Sequence, residues 1–437
     1  MTTVSIVGLG KLGSPMMAVL AEGGIPVIGH DVRSEVVDAV NAGRPPVDEP
    51  GLAEYFVRNR ERMRATGELD EAVLGSDVTF IIVPTPSGAD GVFTNAYVET
   101  ALEGIGAALR SKSGYHNVVV SSTVMPGSMD GPLRAAIERA SGRAVGPDLG
   151  FCYNPEFIAL GSVIRDMESP DVILIGESDA AAGEQLCRLH ETYVRNTPSV
   201  QRMNWMNAEI TKIAINTYVT TKISFANMIS ALCDTLDGAD TDVVTTAVGA
   251  DSRVGAKYLK GGVAYGGPCF PRDNRALAML GRLQGVPMTI AEATDGINDW
   301  QTERFADAVK DVCAPGATVA VLGMSYKPGT AVFEASQGVA LVERLHAQGF
   351  VVRASDPMAF DGIAPPELPA GVATFSDHLE ALTGASAAVI TTPWPEYRTL
   401  EAPLSVVIDP WGTVETAGGG QIRRPGRCTA PTPAVVP

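Results

Sequence analysis

Short apolar runs alternate with stretches of helical character over the first 200 residues. Four runs, at residues 3–7, 26–30, 78–83 and 118–120, have the length of single strands and the continuous hydrophobicity of strands buried on both faces. Strands that alternate with helices in this way are typical of a parallel α/β sheet. The pattern predicts a Rossmann-like, doubly wound domain over residues 1–200.

The same alternation returns in the last third of the chain, where a helix is predicted at residues 338–347. Predicted strands lie at residues 317–322, 351–354, 387–391 and 406–408. We therefore expect a second Rossmann-like domain over residues 299–415. The fold class is α/β, with two doubly wound domains.

A long helix is predicted between these two domains. Residues 205–236 contain neither proline nor glycine and have apolar residues at helical spacing, which indicates one unbroken helix that joins the domains. With the glycine-rich segment that follows, it makes a central helical domain over residues 201–298. Residues 416–437 are rich in glycine, proline, alanine and arginine, and we expect them to be disordered.

Composition narrows the class of protein. A chain of 437 residues exceeds what one hydrophobic core usually serves, and 45% hydrophobic with 19% charged residues is typical of globular proteins. The net charge of −17 argues against nucleic acid or an anionic membrane as partner. The six cysteines lie without paired spacing, which predicts neither disulfides nor a metal site. We expect a cytoplasmic protein, because no leader or membrane-spanning run is visible.

A glycine motif follows the first strand directly. The sequence Gly8-Leu-Gly10-Lys-Leu-Gly13 stands between this strand and a predicted helix, the context in which a helix N-terminus meets a pyrophosphate. Asp31 ends the second strand, where a carboxylate accepts hydrogen bonds from a ribose and repels a 2′-phosphate. This favours NAD over NADP, although Arg33 qualifies the preference. The alternative is a glycine turn that binds no cofactor.

Polar residues follow the next two strands as well. Thr85 lies in Pro84-Thr-Pro86, and Ser122 and Thr123 lie in the turn after residue 120. Ligands of open α/β sheets bind outside the carboxyl ends of the strands, so these residues are candidates for cofactor contact, or else plain turn residues. The predicted cofactor-binding residues are Gly8, Gly10, Lys11, Leu12, Gly13, Asp31, Pro84, Thr85, Pro86, Ser122 and Thr123.

The candidate chemistry centres on Cys269, at the end of a glycine-rich segment. Four glycines and a proline precede it within a few residues, so we expect a loop over residues 257–273 whose backbone approaches a ligand closely. A thiol at the end of an NH-rich loop, with Arg272 nearby, should have a lowered pKa and act as a nucleophile. The alternative is a small buried hydrophobic side chain.

Three segments around this cysteine resemble a known family. They are Arg253-Val-Gly, Lys257-Tyr-Leu-Lys260 and Tyr265-Gly-Gly-Pro-Cys269-Phe-Pro-Arg-Asp273. They are similar to the active-site region of the UDP-glucose/GDP-mannose 6-dehydrogenase family, and the resemblance extends over most of the chain. It implies NAD-dependent oxidation of a nucleotide sugar, with Cys269 capturing an aldehyde, and a homodimer built through the central helix.

The resemblance also assigns roles to single residues. Lys212 and Asn216, four apart on the predicted helix, match a catalytic pair, although a lysine on a helix is usually solvated. Glu156 would activate the hydrolytic water, unless it is a carboxylate of a loop salt bridge. The implied catalytic residues are Cys269, Lys212, Asp273, Asn216, Glu156 and Thr123. The implied substrate-binding residues are Phe157, Lys212, Asn216, Arg253, Tyr258, Lys260, Tyr265, Gly266 and Lys327.

The chain departs from the family pattern at three positions. Leu160 stands where relatives have a glutamate, and Phe333 and Trp411 stand where they have arginines. The loss of a charge-assisted contact costs about 1.5–3 kcal/mol, which would weaken binding or change the preferred base or sugar.

The function expected is therefore the two-step oxidation of UDP-glucose, or a related UDP-sugar, to the uronate. The open alternatives are a GDP-mannose 6-dehydrogenase, a two-domain hydroxyacid dehydrogenase and a protein that binds nucleotide sugars without oxidising them.

Overall fold

The chain is divided into two compact units in the computed structural model. Residues 2–88, 91–360, 366–402 and 404–428 are described, and the units are Met1–Ala214 and Ile215–Pro437. The predicted C-terminal domain and residues 215–298 of the predicted central domain thus fall together in the second unit, whereas residues 201–214 fall in the first. The boundaries predicted within it stay a prediction.

The first unit is built on an eight-stranded sheet in the order β3-β2-β1-β4-β5-β6-β7-β8. Its strands are β1 Val4–Val7, β2 Val27–His30, β3 Met63–Thr66, β4 Val78–Ile81, β5 Asn117–Val120, β6 Gly150–Tyr153, β7 Val172–Glu177 and β8 Ser199–Met203. All neighbours are parallel except β6 and β7. The order of the first six strands is that of a dinucleotide-binding Rossmann sheet, as predicted.

Helices cover both faces of this sheet. They are α1 Gly13–Glu22, α2 Ser34–Asn41, α3 Leu52–Asn59, α4 Leu69–Leu74, α5 Ala96–Leu109, α6 Arg134–Ser141, α7 Val163–Glu168 and α8 Ala180–His190, with single turns at Arg60–Arg62 and Met129–Leu133. Successive side chains of a strand point to opposite faces. On β1, Ile6 accordingly packs in one core and Val7 in the other. This two-sided burial explains why the strands read as continuous apolar runs.

The second unit contains a six-stranded parallel sheet in the order β11-β10-β9-β12-β13-β14. Its strands are β9 Thr318–Leu322, β10 Val351–Ser355, β11 Ala373–Phe375, β12 Ala387–Ile390, β13 Val406–Ile408 and β14 Gln421–Arg423. The order repeats that of the first sheet, so the prediction of a second doubly wound domain is confirmed.

One helix of 29 residues, α9 Trp205–Cys233, crosses the division between the units. It matches the long helix predicted over residues 205–236, but ends three residues earlier. The other helices of the second unit are α10 Thr241–Ala250, α11 Phe270–Gln284, α12 Thr289–Lys310, α13 Gln337–Ala347 and α14 His378–Leu382, with a single turn at Pro395–Arg398. No helix within the described ranges is long and apolar enough to cross a membrane.

The structure differs from expectation in the C-terminal segment. Disorder is predicted for residues 416–437, yet Gln421–Arg423 forms β14 and pairs with β13. Further on, Gly426 donates its amide to Asp234, and Arg427 forms ion pairs with Asp240 and Asp242. The prediction is therefore wrong up to residue 428, because acidic residues far away in sequence bind this arginine-rich segment. Residues 429–437 lie outside the described part.

Candidate active site

The glycine turn of the first unit is shaped for close approach of a ligand. Gly8 has a φ of 97°, and a Cβ there would clash with the Ile82 carbonyl oxygen. A Cβ on Gly13 would clash with the carbonyl oxygen of Gly8. At Gly10, in contrast, a Cβ would meet no atom within 4 Å. The turn is thus tightly packed at Gly8 and Gly13 and open at Gly10. It lies beside the N-terminus of α1, where a pyrophosphate binds in such folds.

Asp31 lies beside this turn and is held in place by neighbouring donors. The Leu9 amide donates to its Oδ2 at 2.9 Å, and Arg33 donates from its backbone amide and from its guanidinium. Burial opposes the charged form, but the hydrogen bonds from Arg33 and Leu9 hold the pKa of Asp31 below its usual value. A charged carboxylate here fits the ribose of NAD.

The hydroxyl groups predicted to meet the cofactor also support the turns in which they lie. Ser122 Oγ donates to the Val83 carbonyl at 2.7 Å and accepts from the Val83 amide, while Thr85 Oγ1 donates to the Thr123 carbonyl at 2.8 Å. These bonds join the turns after β4 and β5. Thr123 is half-buried. Of the other predicted cofactor residues, Lys11, Pro84 and Pro86 are exposed and Leu12 packs on the core.

Glu156 and Lys212 come together in the first unit. The Lys212 Nζ donates to the Glu156 carbonyl at 2.5 Å and lies 4.4 Å from the ring centroid of Phe157. With 6% of its surface exposed, Lys212 is not a solvated helix lysine. Glu156 Oε1 is buried and has no hydrogen-bond partner among the described residues. Burial raises the pKa of Glu156 to about 7, against the opposing charge of Lys212. A carboxyl with this pKa can take up a proton near neutrality.

A residue that the sequence analysis missed lies one turn earlier on α9. Glu209 is fully buried and accepts hydrogen bonds at 2.7 Å from the amides of Gly127 and Met129. It thereby ties the helix that carries Lys212 to the turn after β5, which carries Thr123. Nothing in the sequence around Glu209 indicates these backbone partners.

In the second unit, Cys269 is exposed and is the residue before the first turn of α11. The predicted loop therefore ends at Cys269, and Asp273 already belongs to the helix. Asp273 is buried, and its Oδ2 accepts from Asn216 Nδ2 at 2.6 Å. Arg272 Nε lies 3.4 Å from the other oxygen. Two residues predicted as catalytic, Asn216 and Asp273, are thus direct partners, and Cys269 is not the buried hydrophobic residue of the alternative.

The glycine segment is packed against the turn after β9. A Cβ on Gly266 would clash with the Ala335 carbonyl oxygen, and one on Gly267 would lie 2.6 Å from the Tyr326 ring. Tyr265 is buried, and its hydroxyl donates to Asp295 at 2.7 Å. Its side chain therefore anchors the segment, and the substrate contact expected for Tyr265 stays a prediction.

The remaining predicted substrate residues are at or near the surface of the second unit. Arg253 is exposed and paired with Asp251, and Tyr258 has the left-handed φ of 62° with its ring 6.2 Å from that of Phe270. Lys260 Nζ lies 3.5 Å from the Trp411 carbonyl. Lys327 is half-buried beside Tyr326.

The three departures from the family pattern are packed into hydrophobic surroundings. Leu160 lies against the core of the first unit. Phe333 and Trp411 lie against a core of the second unit. Trp411 also donates its indole N–H to the Thr391 carbonyl, and a Cβ on Gly262 would lie 2.6 Å from its ring. The two aromatic side chains thus contribute packing where arginines would contribute charge.

The fold and these residues define the class: an NAD-dependent oxidoreductase with two Rossmann-like domains. Sequence comparison then gives the family. The NAD binding domain of the UDP-glucose/GDP-mannose dehydrogenase family matches residues 2–194, its central domain residues 206–300 and its UDP binding domain residues 320–416. The chain belongs to this family of nucleotide-sugar 6-dehydrogenases.

Individual relatives agree with this assignment. The chain is 35% identical to a UDP-glucose 6-dehydrogenase of Haloferax volcanii, over 91% of this chain and 93% of the relative. It is 34% identical to a GDP-mannose 6-dehydrogenase of Pseudomonas aeruginosa, over 81% and 80%. The solved UDP-glucose dehydrogenase of Pyrobaculum islandicum is similar with a TM-score of 0.86 at 34% identity, over 94% of both chains.

Proposed function

We propose that this protein oxidises the C6 primary alcohol of UDP-glucose, or of a related UDP-sugar, to the carboxylate in two steps. The glycine turn and Asp31 would hold NAD, which would supply the hydride acceptor for each step, so two NADH would form for each uronate. Cys269 holds the substrate between the steps: its thiol adds to the aldehyde to give a thiohemiacetal, and loss of a hydride and a proton gives a thioester. Water then cleaves the thioester to the acid and restores the thiol.

The observation that carries this proposal is the environment of Cys269. The thiol is exposed at the N-terminus of α11, where the helix dipole favours negative charge. Shortly before it, Gly266 and Gly267 leave no room for side chains, and one helical turn after it the Asp273 carboxylate is held by Asn216. This combination suits covalent capture of an aldehyde better than a packing role.

Proton transfer is assigned to the buried groups of the first unit. Lys212 has three donor hydrogens; it donates to the Glu156 carbonyl, and its Nζ lies over the Phe157 ring. A buried ammonium in such a place stabilises the alkoxide that forms when the alcohol loses its proton. Glu156, with its raised pKa, is suited to take a proton from the water that attacks the thioester.

The test is the replacement Cys269→Ser, assayed with NAD and UDP-glucose. The unchanged protein should give two NADH for each uronate. The variant should stop at the aldehyde, with at most one NADH for each substrate and no acid by mass spectrometry. A matched control is Cys313→Ser, which changes a half-buried cysteine of the same unit. Normal acid production by Cys269→Ser would contradict the proposal.

The alternative substrate is GDP-mannose, because the segment Ser122-Thr-Val-Met-Pro-Gly127 resembles that branch of the family at least as well. Titration with both nucleotide sugars separates the two. One NADH per product would favour a hydroxyacid dehydrogenase. Binding of a nucleotide sugar without any NADH would favour a protein that has lost oxidation through Leu160, Phe333 and Trp411.

A homodimer through the central helix is part of the proposal. Tyr218, Phe225 and Leu232 recur every seven residues, so they lie along one face of α9, and between 42% and 63% of each is exposed. Met228 extends the stripe. A contiguous apolar face of this kind is typical of a protein interface.

A further inference from the structure

The ribose-binding carboxylate of the first unit is already saturated by the chain itself. Asp31 Oδ1 accepts from the backbone amide and the Nε of Arg33, both at 3.0 Å. Its Oδ2 accepts from the Leu9 amide at 2.9 Å and from Arg33 Nη2 at 3.1 Å. A carboxylate has about four acceptor positions, and these four donors fill them.

The two donors of the Arg33 guanidinium can leave Asp31 without disturbing the fold. The other two donors are the backbone amides of Leu9, in the glycine turn, and of Arg33, the residue before α2, and the backbone fixes their positions. The guanidinium of Arg33 is different, because 52% of its side chain is exposed while the side chain of Asp31 is 6% exposed. A ribose diol can reach Asp31 only by replacing the guanidinium.

We propose that Arg33 determines the cofactor preference of this protein by competing with the ribose for Asp31 and by accepting a 2′-phosphate once it has moved. With NAD, the hydroxyl groups of the adenine ribose take the two positions that Arg33 gives up. With NADP, the released guanidinium pairs with the phosphate, as arginines in this position of a Rossmann fold do, while Asp31 repels it. NAD is therefore bound more weakly than Asp31 alone would allow, and NADP is tolerated. The inference concerns the dinucleotide only and does not depend on the sugar substrate.

Direct binding of the reduced cofactors tests this proposal without any turnover. The probes are NADH and NADPH, titrated into the full chain and followed by their fluorescence. For Arg33→Ala we expect NADH to bind about threefold more tightly, the factor that an exposed ion pair contributes. The same variant should lose at least about tenfold in NADPH affinity, because a charge-assisted contact to the phosphate is gone.

The reverse variant and a control complete the experiment. Asp31→Asn removes the repelling charge and frees the guanidinium, so NADPH should bind more tightly and NADH more weakly. Arg58→Ala removes another exposed arginine of the first unit, one paired with Glu22, and should change neither affinity. Circular dichroism verifies that each variant is folded.

Two results would overturn the inference. An unchanged ratio of NADH to NADPH affinity in Arg33→Ala would show that Arg33 does not discriminate between the cofactors. Weaker NADH binding in that variant would show that Arg33 assists the ribose instead of competing with it. Either result leaves the proposed oxidation of a nucleotide sugar untouched, because the titration contains no sugar.

Discussion

At the scale of single residues, the protonation of Glu156 should determine how acid release depends on pH. A general base works only when it is deprotonated, and burial raises the pKa of this carboxyl to about 7. We expect the single-turnover rate of acid formation to fall below that pH and to level off above it. In Glu156→Gln the rate should be about 100-fold lower and independent of pH near neutrality.

The control for this prediction is Glu103→Gln, since Glu103 is exposed and pairs only with Arg139 in the described contacts. It should keep the profile of the unchanged protein. A pH profile that survives in Glu156→Gln would assign the titration to another group and remove Glu156 from the mechanism.

The sequence was sufficient to select most of these residues, but not their partners. Short motifs single out Cys269, Asp273 and Asn216 as candidates, because the residue types and spacing within each motif are local. They do not show that Asn216 donates to Asp273, since the two lie 57 residues apart and meet only through folding. Glu209 was missed for the same reason: its ligands are backbone amides about 80 residues earlier, and backbone amides leave no mark in a sequence.

At the scale of secondary structure, Glu209 should act as a positioning residue for the turn after β5. In Glu209→Gln one amide N–H would face the side-chain NH₂ group and lose its acceptor. We expect the free energy of unfolding, measured with urea, to fall by about 1–3 kcal/mol. The KM for NAD should rise as well, because the same turn carries Ser122 and Thr123.

Glu184→Gln is a suitable control, since Glu184 is exposed on α8 and contacts Arg188. It should leave both quantities unchanged. A loss of stability in Glu209→Gln without any change in KM would reduce Glu209 to a purely structural role.

The presence of helices and strands was predicted more reliably than their exact ends, and buried apolar strands were predicted more reliably than polar strands at the sheet edges. The apolar strands in the interior of each sheet, such as Val78–Ile81 and Val406–Ile408, have no other environment that would suit them. In contrast, β8 at the edge of the first sheet is largely exposed and polar, and β14 lies in a segment rich in glycine and arginine. Their strand conformation comes from a neighbouring strand, which local sequence does not specify.

At the scale of the whole molecule, the apolar stripe of α9 predicts association. We expect the purified protein to have the mass of a dimer by light scattering. The double replacement Phe225→Asp with Leu232→Asp should shift it to the mass of one chain, because it introduces two charges into the stripe. Val57→Asp changes an isolated exposed valine of the first unit and should leave the mass unchanged. A monomeric unchanged protein would contradict the proposal.

The segment after β14 has a consequence for how the protein is made. Gly426 binds Asp234, which lies 192 residues earlier, and Arg427 neutralises two aspartates at the start of α10. At a synthesis rate of about 5–20 residues per second, roughly 10–40 s pass between the synthesis of these aspartates and the synthesis of Gly426 and Arg427. The first unit has all of its strands long before that time. The second unit, in contrast, gains these contacts only after residue 428 has been synthesised, so we expect it to reach its full stability later than the first unit does.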